Sequence, residues 1–138
     1  MRSRMSRECA VLLLGATGRT GRCVLFELLD RGVEVRVIVR SAQRLPEGVA
    51  ANVRLKVIEA ELLSLSYEEF KDQVRGCDAI ISCLGHNLDL KGIFGPPRDL
   101  VTRATERVCR AIAELRPEAS VKFVLMSSVS VNRPGRLD

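Results

Sequence analysis

The chain of 138 residues predicts a three-layer α/β domain built around a doubly wound parallel sheet. Three observations carry that prediction. Short apolar runs alternate with amphipathic stretches, the first run passes straight into a glycine-rich turn, and several runs are nearly continuous in Val, Ile and Leu. Strands of that kind are covered on both faces by helices. Parallel neighbours require crossovers, which are right-handed, and this leads to the strand order 3-2-1-4-5.

The strands are expected at Ala10–Leu14, Val33–Val39, Arg54–Glu59, Ala79–Cys83 and Val121–Met126. Helices are expected at Arg19–Arg31, Ser41–Leu45 (short), Ser66–Arg75 and Asp99–Leu115. In the first helix Val24, Leu25, Leu28 and Leu29 form the inner face, and Gly32 ends it. Ser66 and Glu69 have capping-box spacing, Phe70 and Val74 face inward, and Gly76 ends that helix. The last helix buries Leu100, Ala104, Val108, Ala111, Ile112 and Leu115 and stops before Pro117.

Composition narrows the function. With 46% hydrophobic residues the chain can bury a core, so residues 9–138 are expected to form one domain behind a flexible basic tail at 1–8. Arg2, Arg4, Arg7 and Glu8 contribute +2 of the net charge of +5. Four Phe and one Tyr give bases little to stack on, which argues against nucleic acid. No apolar run approaches the roughly 20 residues of a bilayer span, and no signal peptide is evident, so no membrane partner and a cytoplasmic location are expected. Cys9, Cys23, Cys77, Cys83 and Cys109 show no CxxC spacing, which points away from a metal site or a disulfide framework and towards small buried or half-buried thiols.

The chemistry starts at Gly15-Ala-Thr-Gly-Arg-Thr-Gly21, between the first strand and the first helix. Gly15 allows the sharp turn, Gly18 leaves room for phosphate to approach the backbone, and Gly21 lets the helix pack closely. Thr17, Arg19 and Thr20 complete the candidate phosphate-binding loop, and the positive end of the helix faces the anion. The ligand crevice is expected at the carboxyl ends of strands 1 and 4, where the winding reverses. NAD-binding sheets place an acid at the end of strand 2 for the adenosine ribose, whereas here that strand ends in Arg40, followed by Arg44. A guanidinium suits a 2′-phosphate, so NADP (as NADPH) is the expected cofactor; a solvated arginine at a strand end is the plainer account.

Five segments together, Gly15–Gly21, Val37–Arg40, Ala60-Glu61-Leu62, Ile80–Gly85 and Phe123–Ser128, resemble the NAD(P)H-binding, atypical branch of the short-chain dehydrogenase/reductase superfamily. Within it the chain is similar to the NmrA-like proteins and the biliverdin reductase B/flavin reductase group, which implies a Rossmann fold. The resemblance implies that Glu61 and Leu62 flank the adenine, although the family's usual Gly-Asp is Ala60-Glu61 here. It also implies that Cys83, Leu84 and Gly85 line the cofactor near the nicotinamide ribose, while Cys83 fits a plain core role equally well. Ser127 and Ser128 would stand beside the nicotinamide. Ser128 best matches the serine that hydrogen-bonds a substrate carbonyl, though serines also cap strand ends.

Better-known members of the superfamily use a YxxxK motif. Tyr67 and Lys71 have that spacing but lie before strand 4 rather than after strand 5, so Tyr67 is expected to pack and Lys71 to be solvated. His86, the sole histidine, falls at the mouth of the crevice without an identified partner. Relatives continue beyond the point matching Asp138 with the part that encloses substrate. The expectation is therefore a C-terminally short domain, with enclosure from another subunit or from a longer protein, and exposed surfaces that favour a homo-oligomer.

The leading expectation is an NADP-dependent oxidoreductase moving hydride to a small carbonyl, flavin-like or quinone-like acceptor. An alternative is a non-catalytic NADP-binding redox sensor of the NmrA type. A third, a Rossmann-like domain for S-adenosylmethionine, is disfavoured by Arg40.

Overall fold

The computed structural model describes residues 9–84, 100–115 and 120–126. Five strands, β1 (Ala10–Leu14), β2 (Glu34–Val39), β3 (Leu55–Glu59), β4 (Ala79–Ser82) and β5 (Lys122–Leu125), form one sheet in the order β3-β2-β1-β4-β5. Every neighbouring pair is parallel, with Leu13 opposite Val37 on one side and Ile81 on the other. The helices are α1 (Arg19–Asp30), α2 (Tyr67–Val74) and α3 (Leu100–Leu115). This is the doubly wound sheet read from the sequence.

The two-residue period of the strands sorts the core into two layers. Leu12, Leu14, Ile38 and Ile80 meet Phe70 and Val74 of α2 and Val108, Ala111 and Leu115 of α3. Leu13, Val35, Val37 and Val39 meet Leu25 of α1 on the opposite face. β1 is buried at all five positions because both faces are covered, which is why its sequence is wholly apolar.

Local signals end the helices as expected. Gly32 N–H bonds Leu29 O at 3.0 Å and Val33 N–H bonds Leu28 O at 3.0 Å, the paired bonds of a Schellman stop for α1. The capping box of α2 is complete, with Glu69 N–H donating to Ser66 Oγ and Ser66 N–H to Glu69 Oε1, each at 3.0 Å. Arg36 of β2 faces the α2 layer, and its Nη1 donates to Gln73 O at 2.6 Å and Arg75 O at 2.9 Å. These bonds satisfy carbonyls at the end of α2 that the helix itself leaves free.

Three expectations need correction. The short helix at Ser41–Leu45 is a single 3-10 turn, Ala42–Arg44, because Leu45 precedes Pro46 and is forced into an extended conformation (φ −71, ψ 155). β5 is not covered on both faces: Val124, Leu125 and Met126 are 48%, 44% and 42% exposed. It is the outermost strand of the described sheet, with a neighbour on one side only. Among the cysteines, Cys77 is buried and Cys83 half-buried, but Cys9, Cys23 and Cys109 are exposed because they fall on element ends or outward helix faces. No described helix is long and apolar enough to cross a membrane.

Candidate dinucleotide cleft

The chain leaves β1 through Gly15, whose φ of +80 is one that side-chain-bearing residues rarely adopt. A Cβ there would also lie 2.7 Å from the carbonyl carbon of Cys83, so only glycine lets the backbone just after β4 come this close. Gly21 is constrained as well, since a Cβ on it would run into Gly15 O. Gly18 differs. Its φ of −79 is ordinary, and a Cβ would meet only Gly15 O, at 3.7 Å. Folding therefore requires glycine at 15 and 21, whereas at 18 the vacant volume opens outward, where an anion would approach. Gly18 is also the N-cap of α1, with no side-chain cap and no acid in the first turn. These features leave the positive end of the helix available.

An open cleft of about 540 Å³ lies above this turn. Its floor is Gly15, Ala16 and Thr17, and its walls come from Ile38–Arg40 at the end of β2, Ala60–Ser64 after β3, Leu84 after β4, and Leu100 and Arg103 of α3. This is the predicted switch point, since β1 lies between β2 and β4 and the chain winds away from it in both directions. The volume is typical of small-molecule sites, and the glycine floor and uncapped helix suit a dinucleotide.

Of the residues singled out from the sequence, Gly15, Thr17, Arg40, Glu61, Leu62 and Leu84 line the cleft. Gly18, Arg19 and Thr20 are exposed at the start of α1, beside the floor, and Gly21 is buried beneath them. Arg44 is exposed on its 3-10 turn and is not part of the lining. Cys83 packs against the α1-side core, its N–H bonds Leu14 O at 2.8 Å, and burial pushes its thiol pKa up. Gly85, His86, Ser127 and Ser128 lie outside the described residues.

Leu100, expected in the core, is half-buried on the cleft wall, and Arg103, one helical turn on, was missed by sequence reasoning, although α3 follows β4 and its first turns must face the crevice. It also missed the surroundings of Arg40. Its Nε is 3.8 Å from Oε2 of Glu61, while Glu59 Oε2 accepts the Ala42 N–H at 2.8 Å.

Tyr67 and Lys71 do not line this cleft. Tyr67 Oη donates to Glu114 Oε1 at 2.9 Å, Lys71 Nζ donates to the same oxygen at 3.0 Å, and the Arg110 guanidinium stacks 3.8 Å from the Tyr67 ring centroid. Partial burial and the bond to Glu114 push the Tyr67 pKa to about 12. The expected packing role for Tyr67 holds, but Lys71 is not solvated: its side chain is 16% exposed because Glu114 draws it across to α3.

The comparisons with known proteins agree with this geometry. A family model described as NAD(P)H-binding matches residues 15–138. Protein TIC 62, chloroplastic, of Arabidopsis thaliana is 29% identical over 93% of this chain, which spans 22% of that protein. A Veillonella parvula short-chain dehydrogenase/reductase solved in complex with NADP superposes with a TM-score of 0.65 at 13% identity, over 89% of this chain and 49% of that one. A Streptococcus pneumoniae protein described as a candidate NADH-flavin reductase gives 0.60 at 23% identity, over 86% and 47%. The chain thus spans about half the length of these solved structures and shares their fold. With the glycine turn, the switch-point cleft and a family match running almost from the first glycine onward, the chain belongs to the NAD(P)H-binding family of Rossmann domains.

Proposed function

We propose that the chain is an NADP-dependent oxidoreductase of the atypical short-chain dehydrogenase/reductase type, acting on a small carbonyl, flavin-like or quinone-like acceptor. The observation that carries this reading is Arg40 on the wall of the cleft whose floor is the Gly15 turn. When bound, the nicotinamide coenzyme supplies the hydride. The chain's own residues do the holding: the start of α1 faces the diphosphate, Arg40 takes the 2′-phosphate, and Leu62 and Leu84 give apolar walls that exclude water. The S. pneumoniae similarity, to a protein described with flavin and NADH, supports the flavin-like acceptor, and the V. parvula structure with NADP supports the phosphorylated coenzyme. Hydride transfer in such a site depends chiefly on positioning, so few acid–base groups are needed.

Binding is tested by titrating the chain with NADPH and NADH. NADPH is expected to bind at least about tenfold tighter, and Arg40→Ala to remove about 10- to 150-fold of NADPH affinity, the range for a hydrogen-bonded charge contact. Equal affinities, or a preference that survives Arg40→Ala, would overturn the coenzyme assignment. Turnover with flavin, quinone and aldehyde panels tests the reaction.

The alternative is a non-catalytic NADP-binding sensor of the NmrA type, which turnover distinguishes from the enzyme. Tight binding without NADPH oxidation on any panel would favour it. The proposal includes a cytoplasmic location, for which cell fractionation is the test. It also includes self-association through the exposed apolar side chains Val124, Leu125 and Met126, which sedimentation of wild type against Val124→Lys would test.

A further inference from the structure

Arg40 and Glu61 leave neighbouring strands at the same end of the sheet. Val39 of β2 is in register with Glu59 of β3, so the residues just beyond them meet at the strand tips. There the Arg40 Nε and Glu61 Oε2 are 3.8 Å apart, and both side chains line the cleft. That separation exceeds hydrogen-bond length, so the attraction is coulombic and the guanidinium's donors remain available. The two side chains are 55% and 62% exposed, which keeps the pair weak and displaceable. Glu61 is steadied by the Ser64 hydroxyl, which donates to Oε1 at 3.4 Å. Glu59, the other acid at these tips, is committed to the Ala42 N–H. The acid absent from the end of β2 is thus supplied by the segment after β3.

We infer that Glu61 is a specificity-determining residue that restrains the preference for the 2′-phosphorylated coenzyme by competing with the phosphate for Arg40. This rests on the assignment of Arg40 above. A 2′-phosphate arriving at Arg40 brings about −1.5 to −2 charges next to the Glu61 carboxylate. It must share the guanidinium or displace the acid, and in either arrangement it meets like-charge repulsion. The free ribose hydroxyls of NADH carry no charge and meet neither penalty. Glu61 therefore narrows the gap between the two coenzymes, and because all the groups are exposed the effect weakens with salt.

The test measures dissociation constants for NADPH and NADH with wild type, Glu61→Gln, Arg40→Ala and the double variant. Each is titrated by nucleotide fluorescence at about 50 mM and about 500 mM salt. Glu61→Gln is expected to tighten NADPH binding by about three- to tenfold at low salt and not to tighten NADH, so that the NADPH/NADH ratio rises. The gain shrinks at high salt. It is smaller in the Arg40→Ala background, where only repulsion is left to relieve.

If Glu61→Gln leaves the NADPH/NADH ratio unchanged while Arg40→Ala abolishes the preference, the inference is overturned and the coenzyme assignment stands. Weaker NADPH binding by Glu61→Gln also overturns it, since Glu61 would then be a coenzyme contact. An unselective wild type whose Glu61→Gln variant becomes selective supports the inference and removes the wild-type preference. Failure of wild type and variants to bind either nucleotide overturns both.

Discussion

Gly15 and Cys83 touch backbone to backbone where β1 and β4 end, so closely that one methyl group on Gly15 would lie 2.7 Å from the Cys83 carbonyl carbon. Gly18, three residues on, has no such neighbour. The two glycines therefore serve different ends. Gly15→Ala should lose at least about 2 kcal/mol of folding stability, from backbone strain and overpacking together. Gly18→Ala should keep its Tm within about 2 °C yet lose at least about tenfold in NADPH affinity. Urea unfolding and nucleotide titration of the two variants make the check, and a folded Gly18→Ala with intact binding would remove the phosphate role of the turn.

The Tyr67–Glu114–Lys71 cluster ties α2 to α3 and gives stability a pH dependence at both ends of the range. Hydrogen bonds from Lys71 and then Tyr67 hold the Glu114 carboxyl below the usual carboxylate range. Its stabilising contribution is therefore fully present above that range and is lost as pH falls through the depressed folded value. The urea midpoint of wild type should fall more steeply than that of Glu114→Gln between about pH 6 and about pH 3.

Tyr67 has the opposite sign. With its pKa raised to about 12, the contribution of its phenol is present below the ordinary tyrosine value and is lost as pH climbs towards 12. Tyr67 is the sole tyrosine, so tyrosinate absorbance reads it without interference. Glu114→Gln should bring that titration back towards about 10.

Arg36 holds the end of α2 through Gln73 O and Arg75 O. Arg36→Met keeps much of the stem but removes both bonds, and should cost about 1.5–3 kcal/mol. Calorimetry would show this as a Tm lower by roughly 5–10 °C. Lysine, lacking the planar fork, should restore only part of the loss.

The thiols should divide by exposure. Cys9, Cys23 and Cys109 are expected to react promptly with an aromatic disulfide reagent, and Cys83 more slowly because burial raises its pKa. Cys77, buried and pushed up to about 11, should react only once the chain unfolds. Stoichiometry with and without denaturant checks this.

Much of this fold is legible in the chain because it is written locally. Ala10–Leu14 reads as a strand covered on both faces because all five residues are apolar. Ser66 and Glu69 announce the start of α2, and Gly32 announces the end of α1, because caps involve residues only a few positions apart. The glycine spacing locates the cleft for the same reason. At Lys71 the sequence misleads because a distant residue intervenes: it reads as solvated until Glu114, 43 positions away, draws it in.

Taken alone, the sequence determined the strand order, the switch point and the presence of a guanidinium at the end of β2, since hydrophobic period and turn chemistry are properties of adjacent residues. Only the tertiary structure decided what surrounds that guanidinium. Parallel pairing of β2 with β3 brings Glu61 to within 3.8 Å of Arg40, and Leu100 and Arg103 wall the cleft from a helix that follows β4. The physical reason is register: a strand's sequence fixes which face each side chain takes, but its neighbours across the sheet are set by how far each partner slides and where each ends.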